Sequence, residues 1–311
     1  MKFNVKPILV FCIIALICSC RTYSYNRKNP YPNMEIMRYS NSQAYLFHNE
    51  SSDRLIIALE GSGWDSVLGT RENNIWTSVQ YGSQILQELS DYFTILIPEK
   101  LRRQPGGTYI EDAEDRANYT ANNLIAGYSE SINGFLAEHD FSSIVLIGTS
   151  EGAMLLPIIY ENMNKKEKVI AMVSISFGGL SIYESSNILS ARRNLPQGWF
   201  EMYFNLSQIF KPTSNEVFDS YEENYYFHTL RWFSSVMHIR PFDYYGKINI
   251  PILFVHGEAD FNVPVESTRY IQENLPEKPF EYRYYDWDHQ PRNLADLLQF
   301  RKEVAEWILS L

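Results

Sequence analysis

The sequence predicts an α/β fold, a mostly parallel central sheet flanked by helices, and three observations carry that expectation. Strand-length apolar runs alternate with amphipathic helical stretches from Ala44 onward, the order that builds a parallel sheet covered on both faces. One junction, Ser143-Ile144-Val145-Leu146-Ile147-Gly148-Thr149-Ser150-Glu151-Gly152-Ala153-Met154, passes from a β-branched run through G-x-S-x-G into a helical pattern without a gap. The 3 cysteines of the 311-residue chain, Cys12, Cys18 and Cys20, all fall within its first twenty residues. The chain beyond Cys20 must therefore be held by an ordinary hydrophobic core, which a polypeptide of this size can build without disulfides.

The expected strands are Ala44–His48, Leu55–Leu59, Phe93–Ile97, Ile144–Ile147, Val169–Ser176, Ile252–Val255 and Phe280–Asp286. Apolar stripes at three- or four-residue spacing place helices at Asn74–Leu89, Asn118–Glu138, Ala153–Asn164, Val265–Asn274 and Leu294–Leu311. The alternation breaks once, where roughly 70 residues from Gly178 to Ile248 stand in place of a short crossover. This segment reads as a cap or lid inserted into one domain spanning 41–311. It is dense in aromatics, among them Trp199, Phe200, Tyr203, Phe204, Phe210, Tyr225, Tyr226, Trp232 and Phe233. Most are expected to form the insertion's own small core, with a few, such as Trp199 and Tyr225, facing a substrate.

The first nineteen residues carry Lys2 and Lys6, then an apolar run from Ile8 to Cys18, then Ser19 before Cys20. That is the pattern of a secretory signal peptide, and the run is well short of the ~20 residues needed to span a bilayer. The stretch Ile17-Cys18-Ser19-Cys20 resembles the lipobox of bacterial lipoproteins. The resemblance implies that Cys20 is lipidated and becomes the mature N-terminus, with 20–40 as a tether and a membrane-anchored, exported location; a cleaved, unanchored protein is the alternative. Acidic residues number 37 against 27 basic ones, which makes nucleic acid an unsuitable partner. No H-E-x-x-H, paired cysteines or dinucleotide G-x-G-x-x-G occurs, so neither metal nor cofactor is expected.

The strand, sharp turn and helix around Gly148-Thr149-Ser150-Glu151-Gly152 are those of a nucleophile elbow, which makes Ser150 the candidate nucleophile. A serine hydroxyl needs a base, and His289, after the last expected strand, completes the order Ser, Asp, His with Asp260. His48, His139, His228, His238 and His256 are the other histidines; Glu258, Asp286 and Asp288 are rival acids. Asp260 is preferred because it lies in the loop after an apolar strand, although a turn aspartate capping backbone amides is the competing reading.

Together these residues resemble the α/β-hydrolase superfamily over about Tyr45 to Leu311: the elbow, the loop His256-Gly257-Glu258-Ala259-Asp260-Phe261-Asn262-Val263-Pro264, and Asp288-His289. The resemblance implies a serine hydrolase cleaving an ester or amide through a Ser150–His289–Asp260 triad, on a small acyl ester or short peptide. An oxyanion hole needs two backbone donors. One falls to Glu151, whose side chain also suits a helix N-terminus. The other falls to Ser62 or Gly63 in Glu60-Gly61-Ser62-Gly63-Trp64, with Trp64 beside the substrate; Glu60 stands where many members have histidine. The polar stretch Pro98–Tyr109 reads as a solvated loop or, through Arg102 or Arg103, a carboxylate contact. A serine peptidase and an inactive surface-binding lipoprotein are the alternatives; the oligomeric state is left open.

Overall fold

Strands that are apolar at every position, such as Ile144–Ile147, need cover on both faces, and the sheet they form is wrapped accordingly. The computed structural model describes residues 34–63, 66–68, 70–72, 75–77, 86, 88–100, 113–192, 195–211, 224–225 and 228–311. Eight strands make the central sheet: β1 (Met34–Arg38), β2 (Gln43–Phe47), β3 (Arg54–Leu59), β6 (Thr94–Pro98), β7 (Ser143–Thr149), β8 (Val169–Ile175), β11 (Ile252–Gly257) and β12 (Phe280–Tyr285), in the order β1-β2-β6-β3-β7-β8-β11-β12. Pairing is parallel from β6 to β12, while β2 runs antiparallel to both of its neighbours. This is the mostly parallel, helix-flanked sheet that the alternation predicts.

The two faces bury alternate residues of each strand. Leu55, Ile57, Leu59, Ile144 and Leu146 join one core with the helices Ala121–Glu138 (α2) and Glu151–Asn162 (α3). Ile56, Ala58, Val145, Ile147, Val173 and Val255 join the other with the last helix, Leu294–Leu309 (α9). Remaining helices are Ala113–Asn118 (α1), Ile182–Ala191 (α4), Gln197–Ile209 (α5), Leu230–Val236 (α6), Phe242–Tyr245 (α7) and Glu266–Asn274 (α8), with short ladders Thr70–Glu72 (β4) to Ile75–Thr77 (β5) and Asn224–Tyr225 (β9) to His228–Thr229 (β10).

Three expectations change. Met34–Arg38, inside the 20–40 segment read as a tether, is an edge strand, because pairing with β2 satisfies its backbone and packs Met34 and Ile36 against the core. The helix expected over Asn74–Leu89 starts instead with strand β5: Ile75-Trp76-Thr77 is a β-branched and aromatic triplet suited to a ladder. Among the described residues, the cap's aromatics do not form a private core. Tyr203, Phe210, Trp232, Phe233 and Tyr245 share one cluster with Leu155, Ile159 and Phe254 of the sheet and its helices. Residues 1–33, with the leader and Cys20, lie outside the described residues.

The site's position comes from chain direction. Ser150 directly follows β7, Asp260 lies just beyond β11 and His289 just beyond β12, so three neighbouring regions of the sheet's carboxyl edge converge.

Candidate active site

Ser150 sits on the tight junction of β7 and α3 with φ 52° and ψ −114°, a region that a side chain enters only under constraint. The constraint is visible on either side. Its N–H donates to Ile175 O at 2.8 Å. A Cβ on Gly152 would stand 2.2 Å from Leu59 O, and one on Gly148 2.7 Å from Ala153 Cα; the two glycines let the elbow press against β3 and its own helix, leaving the serine at the tip.

His289 Nε2 lies 3.0 Å from Ser150 Oγ, and its Nδ1 lies 2.8 Å from Asp260 Oδ2. A carboxylate only accepts, so Nδ1 carries the proton and Nε2 is left to accept from the serine hydroxyl. The backbone that carries the imidazole is held by Ser176, whose hydroxyl donates to His289 O at 3.1 Å, and on either side of it Asp288 accepts from Gln290 N at 3.0 Å. Asp260 is fully buried with four donors on its two oxygens. Asn262 N and Val263 N donate to Oδ1 at 2.8 and 3.0 Å, and His256 Nε2 approaches Oδ2 at 3.3 Å beside His289. Burial alone would push this carboxyl up, but the His289 charge and the two imidazole hydrogen bonds hold it well below the ordinary carboxylate range. His289 moves the other way: burial lowers it, and the Asp260 charge and hydrogen bond outweigh that and raise it. The turn-aspartate reading of Asp260 and the reading as partner of His289 are thus both realised, one on each oxygen.

The rival acids are engaged elsewhere: Glu258 with Arg269 at 2.7 Å, Asp286 with Arg292 at 3.0 Å, Asp288 in its own turn. Among the other histidines, His48 is exposed, His139 stacks on Phe135, His238 contacts Tyr183, and His228 is buried 3.7 Å from the Trp232 ring, where desolvation and then Lys100 push it down to about 3. His256 is buried between Thr268 Oγ1 at 2.7 Å and Val263 O at 3.0 Å.

Beside the elbow, Gly63 has φ 136°, a conformation open to glycine. Its N–H donates to Tyr119 Oη at 3.3 Å and its carbonyl accepts from Lys100 Nζ at 3.1 Å. Of the two residues expected to offer a donor from this loop, Gly63 therefore directs its N–H to a side chain. The Glu151 N–H opens helix α3 and has no intrahelical acceptor. Its carboxylate does more than face a helix dipole: it is buried and accepts from Tyr119 Oη and Trp232 Nε1, each at 2.7 Å. Burial raises its pKa, opposed by those two donors and by the Lys100 charge.

Of the residues expected at the substrate, Trp64 and the side chain of Tyr225 lie outside the described residues, as do 101–112 with Arg102 and Arg103. Trp199 packs edge-on against Phe261, the residue after Asp260, with centroids 5.0 Å apart. The cap grips the same loop through Tyr203, whose hydroxyl donates to Phe261 O at 2.7 Å, and through Arg192, which donates to Asp260 O at 3.2 Å. Sequence reasoning missed Tyr119, Lys100, Trp232, His256 and Arg192. Trp232 stood among the cap's aromatics and His256 at the head of the loop that carries Asp260, without a role for either; Lys100 carried a signal as part of the polar Pro98–Tyr109 stretch, and it pointed the wrong way, since Lys100 is 1 % exposed.

The family model described as serine hydrolase (FSH1) matches residues 120–290, more than half of the chain and all three of Ser150, Asp260 and His289. No curated protein sequence matches. Among solved structures, the esterase Pf2001 of Pyrococcus furiosus is similar at 15 % identity and a TM-score of 0.54, over 89 % of this chain and 90 % of that one. Est1E from Butyrivibrio proteoclasticus is similar at 13 % identity and a TM-score of 0.56, over 89 % and 98 %. An acylaminoacyl peptidase of Pyrococcus horikoshii is similar at 14 % identity and a TM-score of 0.54, over 89 % of this chain and 41 % of that one. At these identities the likeness is one of fold, the α/β-hydrolase fold.

Proposed function

We propose that this chain, which belongs to the serine hydrolase (FSH1) family, cleaves a carboxylic ester through an acyl-enzyme, with Ser150 as nucleophile, His289 as base and Asp260 as the acid that orients it. The observation that carries this reading is the continuous hydrogen-bond chain from Ser150 Oγ through both nitrogens of His289 to Asp260. Ser150 Oγ attacks the acyl carbon as its proton passes to His289 Nε2. Asp260 stabilises the imidazolium that forms. The tetrahedral oxyanion is met by the Glu151 N–H and a donor from the loop at Ser62. Collapse expels the alcohol, which takes the proton from Nε2; water then repeats the sequence on the acyl-enzyme, releasing the acid and restoring Ser150. The esterases that share the fold support an ester as substrate, and an anchored location is proposed on the leader alone, through lipid on Cys20.

A serine-directed fluorophosphonate tests the reading. Wild-type protein is expected to be labelled at Ser150, and Ser150→Ala to fold and remain unlabelled. Folded wild-type protein that takes no label would return the chain to the inactive, surface-binding alternative; labelled enzyme that prefers acyl-peptides to esters would make it a peptidase.

A further inference from the structure

We propose that Tyr119 and Lys100 are positioning residues of the oxyanion loop, holding the two polar backbone groups of Gly63, and that Tyr119 ties this loop to the nucleophile's elbow through the side chain of Glu151. The inference rests on the serine-hydrolase reading above and deepens it. An oxyanion hole works because its donors are preset where charge will develop, and misplacement of about 1 Å is enough to cost ~100-fold. One donor, the Glu151 N–H, is fixed by the elbow. The other half lies on a stretch after β3 that has no regular structure at 60–63 and a glycine at φ 136°, so its rigidity must come from side chains that reach it.

Two buried side chains do so from opposite ends of Gly63. Tyr119 Oη accepts the Gly63 N–H at 3.3 Å and gives its single proton to Glu151 Oε2 at 2.7 Å, while Lys100 Nζ donates to Gly63 O at 3.1 Å. Trp232 Nε1 fixes the remaining oxygen, Oε1, at 2.7 Å. The sequence N–H to phenol to carboxylate is directional, and each bond polarises the next. It is also dry: Tyr119 is 0 %, Lys100 1 % and Glu151 4 % exposed, so an ammonium and a carboxylate are kept out of water beside the site, an arrangement that is costly unless their hydrogen bonds are well made. Glu151 thereby serves both halves of the hole, with its N–H facing the oxyanion and its carboxylate anchoring the opposite loop. With the Gly63 N–H committed to Tyr119, Ser62 is the residue of the loop that supplies the second donor.

Tyr119→Phe keeps the ring and its packing and removes the hydroxyl. Turnover of an aryl ester, per site titrated with fluorophosphonate, is expected to fall about 10- to 100-fold with KM within about threefold of wild type, the signature of an interaction expressed in the transition state. Affinity for a trifluoromethyl ketone, whose Ser150 adduct is itself an oxyanion, should fall by the same factor as kcat/KM. Lys100→Met, which keeps the length and loses the donor, carries the same expectation through the Gly63 carbonyl. The proposal is overturned if either variant, folded by circular dichroism, turns over within twofold of wild type per titrated site, or if both variants fail to fold, which would assign the pair to the fold alone. Wild-type protein that takes no fluorophosphonate would instead remove the serine-hydrolase reading, a result distinct from either.

Discussion

Replacing Asp260 by asparagine tests the hydrogen-bond chain more sharply than deleting it. Asp260 receives two backbone N–H groups on Oδ1, at 2.8 and 3.0 Å, and two imidazoles on Oδ2. Asparagine has one oxygen, and turning its NH₂ toward Asn262 N and Val263 N would leave two backbone donors facing a donor. The amide should therefore keep its oxygen on the backbone and present NH₂ to His289. Facing that NH₂, Nδ1 of His289 must accept, so the ring's proton moves to Nε2, the atom that has to receive the proton of Ser150. Turnover is expected to fall about 10⁴-fold, equivalent to roughly 5.5 kcal/mol of transition-state stabilisation at ~1.4 kcal/mol per tenfold. The fold should survive, because the two backbone bonds persist and His256 keeps Val263 O at 3.0 Å. Asp260→Ala, by contrast, leaves three donors, Asn262 N, Val263 N and His289 Nδ1, without their acceptor at about 1–3 kcal/mol each, an upper sum comparable to the stability of an entire domain. Ester hydrolysis per titrated site, thermal melting, and ¹⁵N chemical shifts of the imidazole provide the readouts. An Asp260→Asn enzyme within tenfold of wild type, with Nε2 still unprotonated, would refute the tautomer argument.

The same geometry, together with the leader, sets four further outcomes. Since Asp260 holds the His289 pKa above its ordinary 6.5 and the base must be neutral, kcat/KM is expected to rise with pH through an apparent pKa above that value; a limb at or below 6.5 would count against the pairing. The two groups have opposite linkage. The raised His289 stabilises the fold below its unfolded pKa, a contribution lost as pH climbs through the native value, whereas the depressed Asp260 contributes above about 3.9 and loses that as pH falls toward its native value, so acid melts of Asp260→Asn should be flatter than wild type below pH ~4. Replacing Trp199 and Phe200 together by alanine should shift relative kcat/KM among acyl chain lengths by about tenfold while fluorophosphonate labelling persists; unchanged ratios would move specificity to the 98–109 stretch. Cys20→Ser should abolish lipid attachment and leave uncleaved precursor, which mass spectrometry of the N-terminus and membrane fractionation would detect.

Local order was legible wherever one periodicity dominated. The apolar runs of β3, β7, β8 and β11 are written by residues that must be buried on both faces, so their sequence and their sheet are the same fact seen twice. The elbow was equally legible, because its backbone conformation and close approaches demand glycines at fixed spacing around one serine. Met34–Arg38 and Ile75–Thr77 escaped because a short strand carries little periodic signal until a partner supplies its hydrogen bonds. The cap's aromatics told what must be buried but not against what; only packing merged Tyr203, Trp232 and Tyr245 with the sheet's own core. Most of what surrounds the candidate site belongs to that second kind of information. Tyr119, Glu151 and Trp232, or Arg192, Asp260 and Tyr203, lie tens of residues apart and share no motif, since a hydrogen bond between side chains constrains positions in space rather than spacing along the chain. Strands, the turn and the types of chemically active group can be read along the chain. Which oxygen faces which nitrogen cannot, because that depends on angles and distances of a few tenths of an ångström that only the folded sheet imposes.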